Sequence, residues 1–133
     1  MAKKKNSNKI KKAKVAAQST QSELVLCDLE FPRLQKELIE LESHELDQVE
    51  ATINKVKQMT WDQIQKTSSK TQKRGINWEP ISSQRTSGGK TIASIRISDK
   101  FRARVCRDGK YMRFISLHPD HDSAYKESGG EDI

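Results

Sequence analysis

Asp108-Gly109 lies between two stretches that alternate apolar and polar residues, and no other feature limits the fold of this chain as strongly. Both residues of an Asp-Gly pair accept the positive φ of a type I′ turn, so the pattern predicts an antiparallel hairpin. A loop of those two residues sets Arg107 opposite Lys110, Cys106 opposite Tyr111, Val105 opposite Met112, Arg104 opposite Arg113 and Ala103 opposite Phe114. Side chains alternate with period two. Phe101, Ala103, Val105, Met112 and Phe114 therefore share one face, and Arg102, Arg104, Cys106, Tyr111, Arg113 and Ile115 share the other. The first face is core. The second sets two arginines against each other, which is unfavourable unless an anion lies between them.

The preceding stretch, Thr91 to Ser98, alternates in the same way, with Ala93, Ile95 and Ile97 pointing inward and Arg96 joining the basic face. Upstream, Leu24 to Cys27 reads as an edge strand, and Phe31-Pro32 opens a helix, since proline at the first turn loses no hydrogen bond. Leu34, Leu38 and Leu41 recur at helical spacing. A second stripe, Leu46, Val49, Ile53 and Val56, is out of step with the first, which predicts two helices broken near Ser43-His44-Glu45; one bent helix is the alternative. Thr60 stands three residues before Gln63, a capping-box spacing that starts a third short helix through about Lys66, with Trp61 as a core anchor. Ser68 to Arg74 has turn composition. Trp78 and its flanking isoleucines pin that loop back to the body, and Pro80 argues against a central strand.

Ser82 to Lys90 reads as a flexible connection into the sheet. Its Gly88-Gly89-Lys90-Thr91 resembles the end of a phosphate-binding loop, but position 84 is Gln where such a loop needs its first glycine, so nucleotide binding is rejected. The expected fold is α+β, an N-terminal helical hairpin packed on a small antiparallel sheet. It occupies residues 23–126, between a basic arm at 1–22 and a polar tail at 127–133.

The net charge of +7 is localised. Residues 1–14 contain seven lysines and no acid, and the remaining 18 basic residues balance 18 acidic ones. Within that balance, Glu23 to Asp62 carries ten acids and four bases, whereas Arg85 to Arg113 carries nine bases and two acids. The body thus pairs an acidic helical half with a basic sheet, and local field governs what each half attracts. The lysine arm reads as a solubilising tail or as a nucleic-acid arm. Cys27 and Cys106 are far apart and have no paired metal or redox spacing, which suits a reducing compartment. No apolar run approaches the roughly 20 residues of a membrane helix, so a soluble cytoplasmic protein is expected. His118, Asp120, His121 and Asp122 follow one another too closely to surround one ion, and no metal or other cofactor is expected.

The order strand, helix, helix, loop and sheet resembles the RelE/ParE superfamily of type II toxins, as does the pairing of SIRISDKFRARV with a further strand and HPDHDSAY. The resemblance covers about Leu24 to Tyr125, with its diagnostic part in Thr91 to Tyr125. It implies a small monomeric toxin neutralised by a cognate antitoxin protein. The RelE branch cleaves mRNA, usually on the ribosome, and the ParE branch inhibits DNA gyrase. For the first branch the implied catalytic residues are Arg102 and Arg104 on the scissile phosphate, His121 as base or acid, and Tyr125 stacking on a base or assisting proton transfer. Arg96, Arg113 and His118 are the implied RNA-binding residues. The residue types suit the task. An Arg fork pairs two phosphate oxygens and stays charged, and His exchanges protons near neutrality. The lysine pair of many RelE-type enzymes has no match at fixed spacing among Lys70, Lys73, Arg74 and Arg85. An inactive or accessory nucleic-acid-binding member of the fold is a third reading.

Overall fold

The computed structural model describes residues 20–67 and 75–119. In chain order they form β1 (Leu26–Asp28), α1 (Pro32–Glu40), α2 (Ser43–Val56), α3 (Trp61–Lys66), β2 (Glu79–Arg85), β3 (Thr91–Arg96), β4 (Arg102–Asp108) and β5 (Tyr111–His118). Residues 20–22 are also helical. The expected α+β class holds, but the sheet is mixed. Its five strands run in the order β1-β5-β4-β3-β2, with β1 parallel to β5 and every other pair antiparallel. The parallel edge arises because helices separate β1 from the rest, whereas tight turns join β2 to β5.

Each helix begins where local chemistry permits it. Phe31 has extended backbone (φ −60°, ψ 129°) and Pro32 follows at the first helical position. At α2, Glu42 and Glu45 form a reciprocal box in which the Glu42 N–H donates to Glu45 Oε1 at 2.9 Å, so the break falls at Leu41-Glu42. At α3 the expected box is present: Gln63 N–H donates to Thr60 Oγ1 at 3.2 Å, and Thr60 N–H to Gln63 Oε1 at 2.9 Å. The two longer helices dock on strands, α1 along β5 and α2 beside β1. In α2 the inward stripe is Val49, Thr52 and Val56, and Leu46 is left exposed.

The region from 79 to 90, expected to be a flexible connection over much of its length, is instead β2 and the turn of a hairpin. Gly89 N–H donates to Thr86 O at 2.9 Å and Thr86 N–H to Lys90 O at 2.8 Å, with Gly89 at φ 85°. Ser82 and Ser83 are tolerated because β2 is an outer strand with these side chains exposed, buried Gln84 accepts from Arg104, and the same edge position admits Pro80.

The β4–β5 hairpin also differs from expectation by one step. Its loop is Gly109-Lys110, since Asp108 pairs with Tyr111. Gly109 has φ 61° and Lys110 is not left-handed, the φ pattern of a type II′ turn with glycine first. Val105 then faces Phe114 rather than Met112, and Cys106 faces Arg113. This step keeps the parity, so the apolar face survives. A bulge at Arg104/Val105 then changes it: Arg104 pairs with Ser116, Ala103 with Leu117 and Arg102 with His118. Ile115 is the extra residue. Beyond it the inward position moves to Leu117, whose N–H donates to Glu37 Oε1 of α1 at 2.7 Å. Arg104 and Arg113 are therefore not opposed.

On the helical side, Ala93, Ile95, Ala103, Val105, Met112 and Phe114 are fully buried with Val25, Leu34, Val56, Trp61 and Ile64. Trp61 meets Trp78 edge to face, centroids 5.3 Å apart, and the Arg107 guanidinium lies 4.6 Å over its ring. Arg107 also donates to Gln21 Oε1 at 2.7 Å, tying residues 20–22 to the sheet. Ile92, Cys106 and Ile115 form a smaller cluster on the opposite face, against Phe31.

Candidate functional site

Three strands bring the candidate residues together on this opposite face. Ser94 of β3 pairs with Arg104 of β4, which pairs with Ser116 of β5. All three are buried, as are His118 and Gln84. Arg104 Nε–H donates to His118 Nε2 at 3.0 Å, and its Nη1 donates to Gln84 Oε1 at 2.9 Å. The Ser116 hydroxyl lies 2.8 Å from the same His118 nitrogen. A guanidinium N–H can only donate, so Nε2 of His118 is an acceptor in this arrangement, and the proton of the neutral ring sits on Nδ1. The Ser94 hydroxyl is buried in the same row and finds no hydrogen-bond partner among the described residues.

The other arginines on this face have different surroundings. Arg102 reaches back over the β3–β4 turn, its Nη1 donating to Ser98 O at 2.7 Å and Asp99 O at 3.1 Å. Opposite it, Arg96 lies 3.6 Å from the exposed Asp99 carboxylate. The two adjacent guanidinium groups thus share a turn that supplies acceptors to both. Arg113 donates from Nε to Asp28 Oδ2 at 3.0 Å and from Nη2 to Asp108 Oδ2 at 3.2 Å. Lys90 completes that row, with Nζ 2.5 Å from Asp108 Oδ1. Glu45 serves the α2 cap, and Glu37 binds Arg33 and the bulged strand.

The charge row shifts its members. The Glu30 N–H, followed by Arg113, holds the Asp28 carboxyl below its ordinary value, and Lys90 does so for Asp108. Arg113 is pushed up, first by Asp28. The two thiols are in the opposite situation: burial raises Cys27 to about 11 and also raises Cys106, so neither is a ready nucleophile or ligand. Among the described residues, no group of His, Cys, Asp and Glu is disposed to hold a metal ion.

Of the candidate residues, Arg104 and His118 are in direct contact, Arg102 stands across from His118, and Arg96 and Arg113 occupy separate ends of the face. His121 and Tyr125 lie outside the described residues. Gln84 and Ser116 were absent from the sequence-based site. Gln84 sits in a segment whose polar composition concealed a strand, and Ser116 reaches Arg104 only through the bulge, which has no glycine to signal it. No helix among the described residues is long and apolar enough to cross a membrane. Comparison with protein-family models, curated proteins and solved structures gives no match.

Proposed function

We propose that the chain is a cytoplasmic toxin of the RelE/ParE kind that cleaves mRNA through the face carrying Arg104 and His118. The observation that supports this reading is their 3.0 Å contact, which brings a permanent cation and an accepting imidazole nitrogen to one point of a basic sheet. In the reaction a base takes the proton of the ribose 2′-hydroxyl and the freed oxygen attacks the adjacent phosphorus. The bond to the 5′-oxygen then breaks as that oxygen receives a proton, leaving a 2′,3′-cyclic phosphate. Arg104 turns from His118 Nε2 to the phosphate, where it balances the charge gathering on the phosphorane, and the lone pair this frees on Nε2 takes the 2′-hydroxyl proton. His121 and Tyr125, as the resemblance implies, supply the acid and a stacking platform. This chemistry needs no metal. Its partners would be mRNA, the ribosome and an antitoxin that covers the basic face.

A second reading is a toxin that binds and inhibits a protein such as DNA gyrase. Its support is the satisfaction of Arg102 and Arg113 by groups of the chain itself, together with the burial of Arg104 and His118. Controlled expression in bacteria separates the two when wild type, Arg104→Gln and His118→Gln are compared by growth and by mapping transcript 5′ ends. New codon-phased ends that disappear in both variants support cleavage. Growth arrest without new ends favours the protein inhibitor, and no arrest at all removes both toxin readings.

A further inference from the structure

A second opening lies away from the Arg104–His118 pair, between α2 and the end of β3. It is a cavity of about 600 Å³ whose walls include Thr52 and Lys55 of α2, Gly75 and Ile76, and Arg96 and Ser98 at the end of β3. Each wall is held in place. The Arg96 N–H donates to Ile76 O at 2.6 Å, fastening the Gly75-Ile76 segment to β3. Thr52 Oγ1 donates to Gln48 O at 3.0 Å, which fixes the α2 wall, and Arg102 bonds the carbonyls of Ser98 and Asp99 behind the far wall. Gly75, at φ 64°, leaves the space beneath the lysine open: a Cβ there would stand 3.6 Å from Lys55 Nζ.

Two side chains of the lining are cations, Lys55 and Arg96, and none of its described residues carries a carboxylate. Asp99 lies 3.6 Å from Arg96 Nη2 and is 91% exposed, and an exposed contact of that length contributes little that a bound anion would have to replace. Ile76, Ile97 and Ala51 give the cavity an apolar floor, on which the two charges interact with a bound anion more strongly than they would in open water. A tetrahedral phosphate offers two oxygens to the planar Arg fork and a third to a point-charge ammonium, the division of labour that these two residue types support.

We infer that this cavity binds a phosphate group between Lys55 and Arg96, at a site separate from the Arg104–His118 pair. The phosphate belongs either to a free mononucleotide, which a space of this volume can admit, or to an RNA strand crossing the end of the sheet. Both sources present the same chemistry to the two cations.

The full chain, labelled with ¹⁵N, is titrated at low salt with inorganic phosphate, with AMP and with a short single-stranded RNA, following the amides of Thr52, Gly75, Ile97 and Ser98. Saturable shifts of these amides with phosphate are expected. Lys55→Ala, an exposed position whose loss leaves the fold intact, weakens binding by about tenfold or more, and Arg96→Gln does the same. AMP binding more tightly than phosphate assigns the free nucleotide, and RNA alone doing so assigns the strand. Amides that do not respond to any of the three ligands overturn the proposal, as does an affinity unchanged in both variants. The readout is local to the cavity, so loss of RNA cleavage in His118→Gln has no bearing on it.

Discussion

The two faces of the sheet are built from the same three strands and solve burial in opposite ways. On the helical side, Ala93, Ile95, Ala103, Val105, Met112 and Phe114 are sealed from water by apolar contact alone. On the other side, Ser94, Arg104, Ser116 and His118 are nearly as buried, but each brings polar atoms that need partners. Toward the β4–β5 turn that same face changes again, to the half-exposed row Lys90, Asp108, Arg113 and Asp28. Burial alone therefore does not separate core from site. What does is whether a buried position could be apolar without loss: the helical face already is, whereas a buried Arg–His–Ser–Gln network costs desolvation that stability alone gives no reason to incur.

The first test truncates the helical face. Phe114→Ala removes a fully buried ring from the middle of β5 and is expected to cost about 3–5 kcal/mol, read as a lower denaturant midpoint with an unchanged slope. A loss below about 1 kcal/mol would mean that this face is not the main core, and the contrast between the faces would disappear.

Arg104→Ala is expected to rank second. It removes the guanidinium donor from His118 Nε2 and Gln84 Oε1 in a buried setting, leaving the Ser116 hydroxyl beside Nε2, and is expected to cost about 1–3 kcal/mol. Arg104→Met keeps the bulk and removes the same donor. His118→Leu combined with Arg104→Met removes both members of the central bond, and should recover part of the single-variant loss. If the double variant is more stable than wild type and the growth arrest expected of the proposed toxin is lost with it, the network is kept for activity at the expense of stability. Recovered stability with that arrest unchanged from wild type would make it a structural feature only.

The two faces were not equally readable in the sequence. Period-two alternation in TIASIR and in the stretches flanking Gly109 revealed the apolar face, because it depends only on parity. A pairing error of one step on each strand preserved that parity, so the core residues stayed together despite the wrong loop. Cross-strand neighbours on the polar face depend on the pairing itself. Arg104 was set against Arg113 for that reason, when the true loop and the bulge put Ser116 there. The edges were harder for another reason. β1 has three residues, too few to carry periodicity, and its parallel pairing depends on contacts more than 80 residues apart in sequence. β2 reads EPISSQR, a composition that denotes a loop unless the strand lies at an edge with one side in water. The capping box at Thr60 was legible because it is local, and Glu42/Glu45 was equally local but used Glu as the cap.

The exposed row should respond least to truncation. Arg113, with its side chain 40% exposed, bridges two carboxylates, and Arg113→Ala is expected to cost about 0–1 kcal/mol. A loss as large as that of Arg104→Ala would show that the two ends of the polar face are one energetic unit. A double-variant cycle between the two positions would then give a coupling energy clearly above zero, rather than the additivity expected of separate clusters.

The same row predicts the sign of the acid response, the smallest effect and the most specific. Asp28 is held below the ordinary carboxylate value of 3.8, first by the Glu30 N–H and then by Arg113, so folding favours its ionised form. Such a group contributes its full stability above its unfolded value and loses the contribution as pH falls through the folded one. Stability should therefore be level near neutrality and decline below about pH 4. Asp28→Asn, which keeps one acceptor for Glu30 and loses the charge facing Arg113, should be slightly less stable at pH 7 and decline less steeply in acid. The two curves should converge at low pH. Cys27 provides the internal control, because a thiol raised to about 11 by burial stays protonated across this entire range and adds no slope of its own. A variant curve that runs parallel to wild type through the acid limb would mean that Asp28 is not ionised preferentially in the fold. The junction of β1 with β5 would then rest on backbone pairing and on Cys27 and Leu29 packing inward, without help from the charge row.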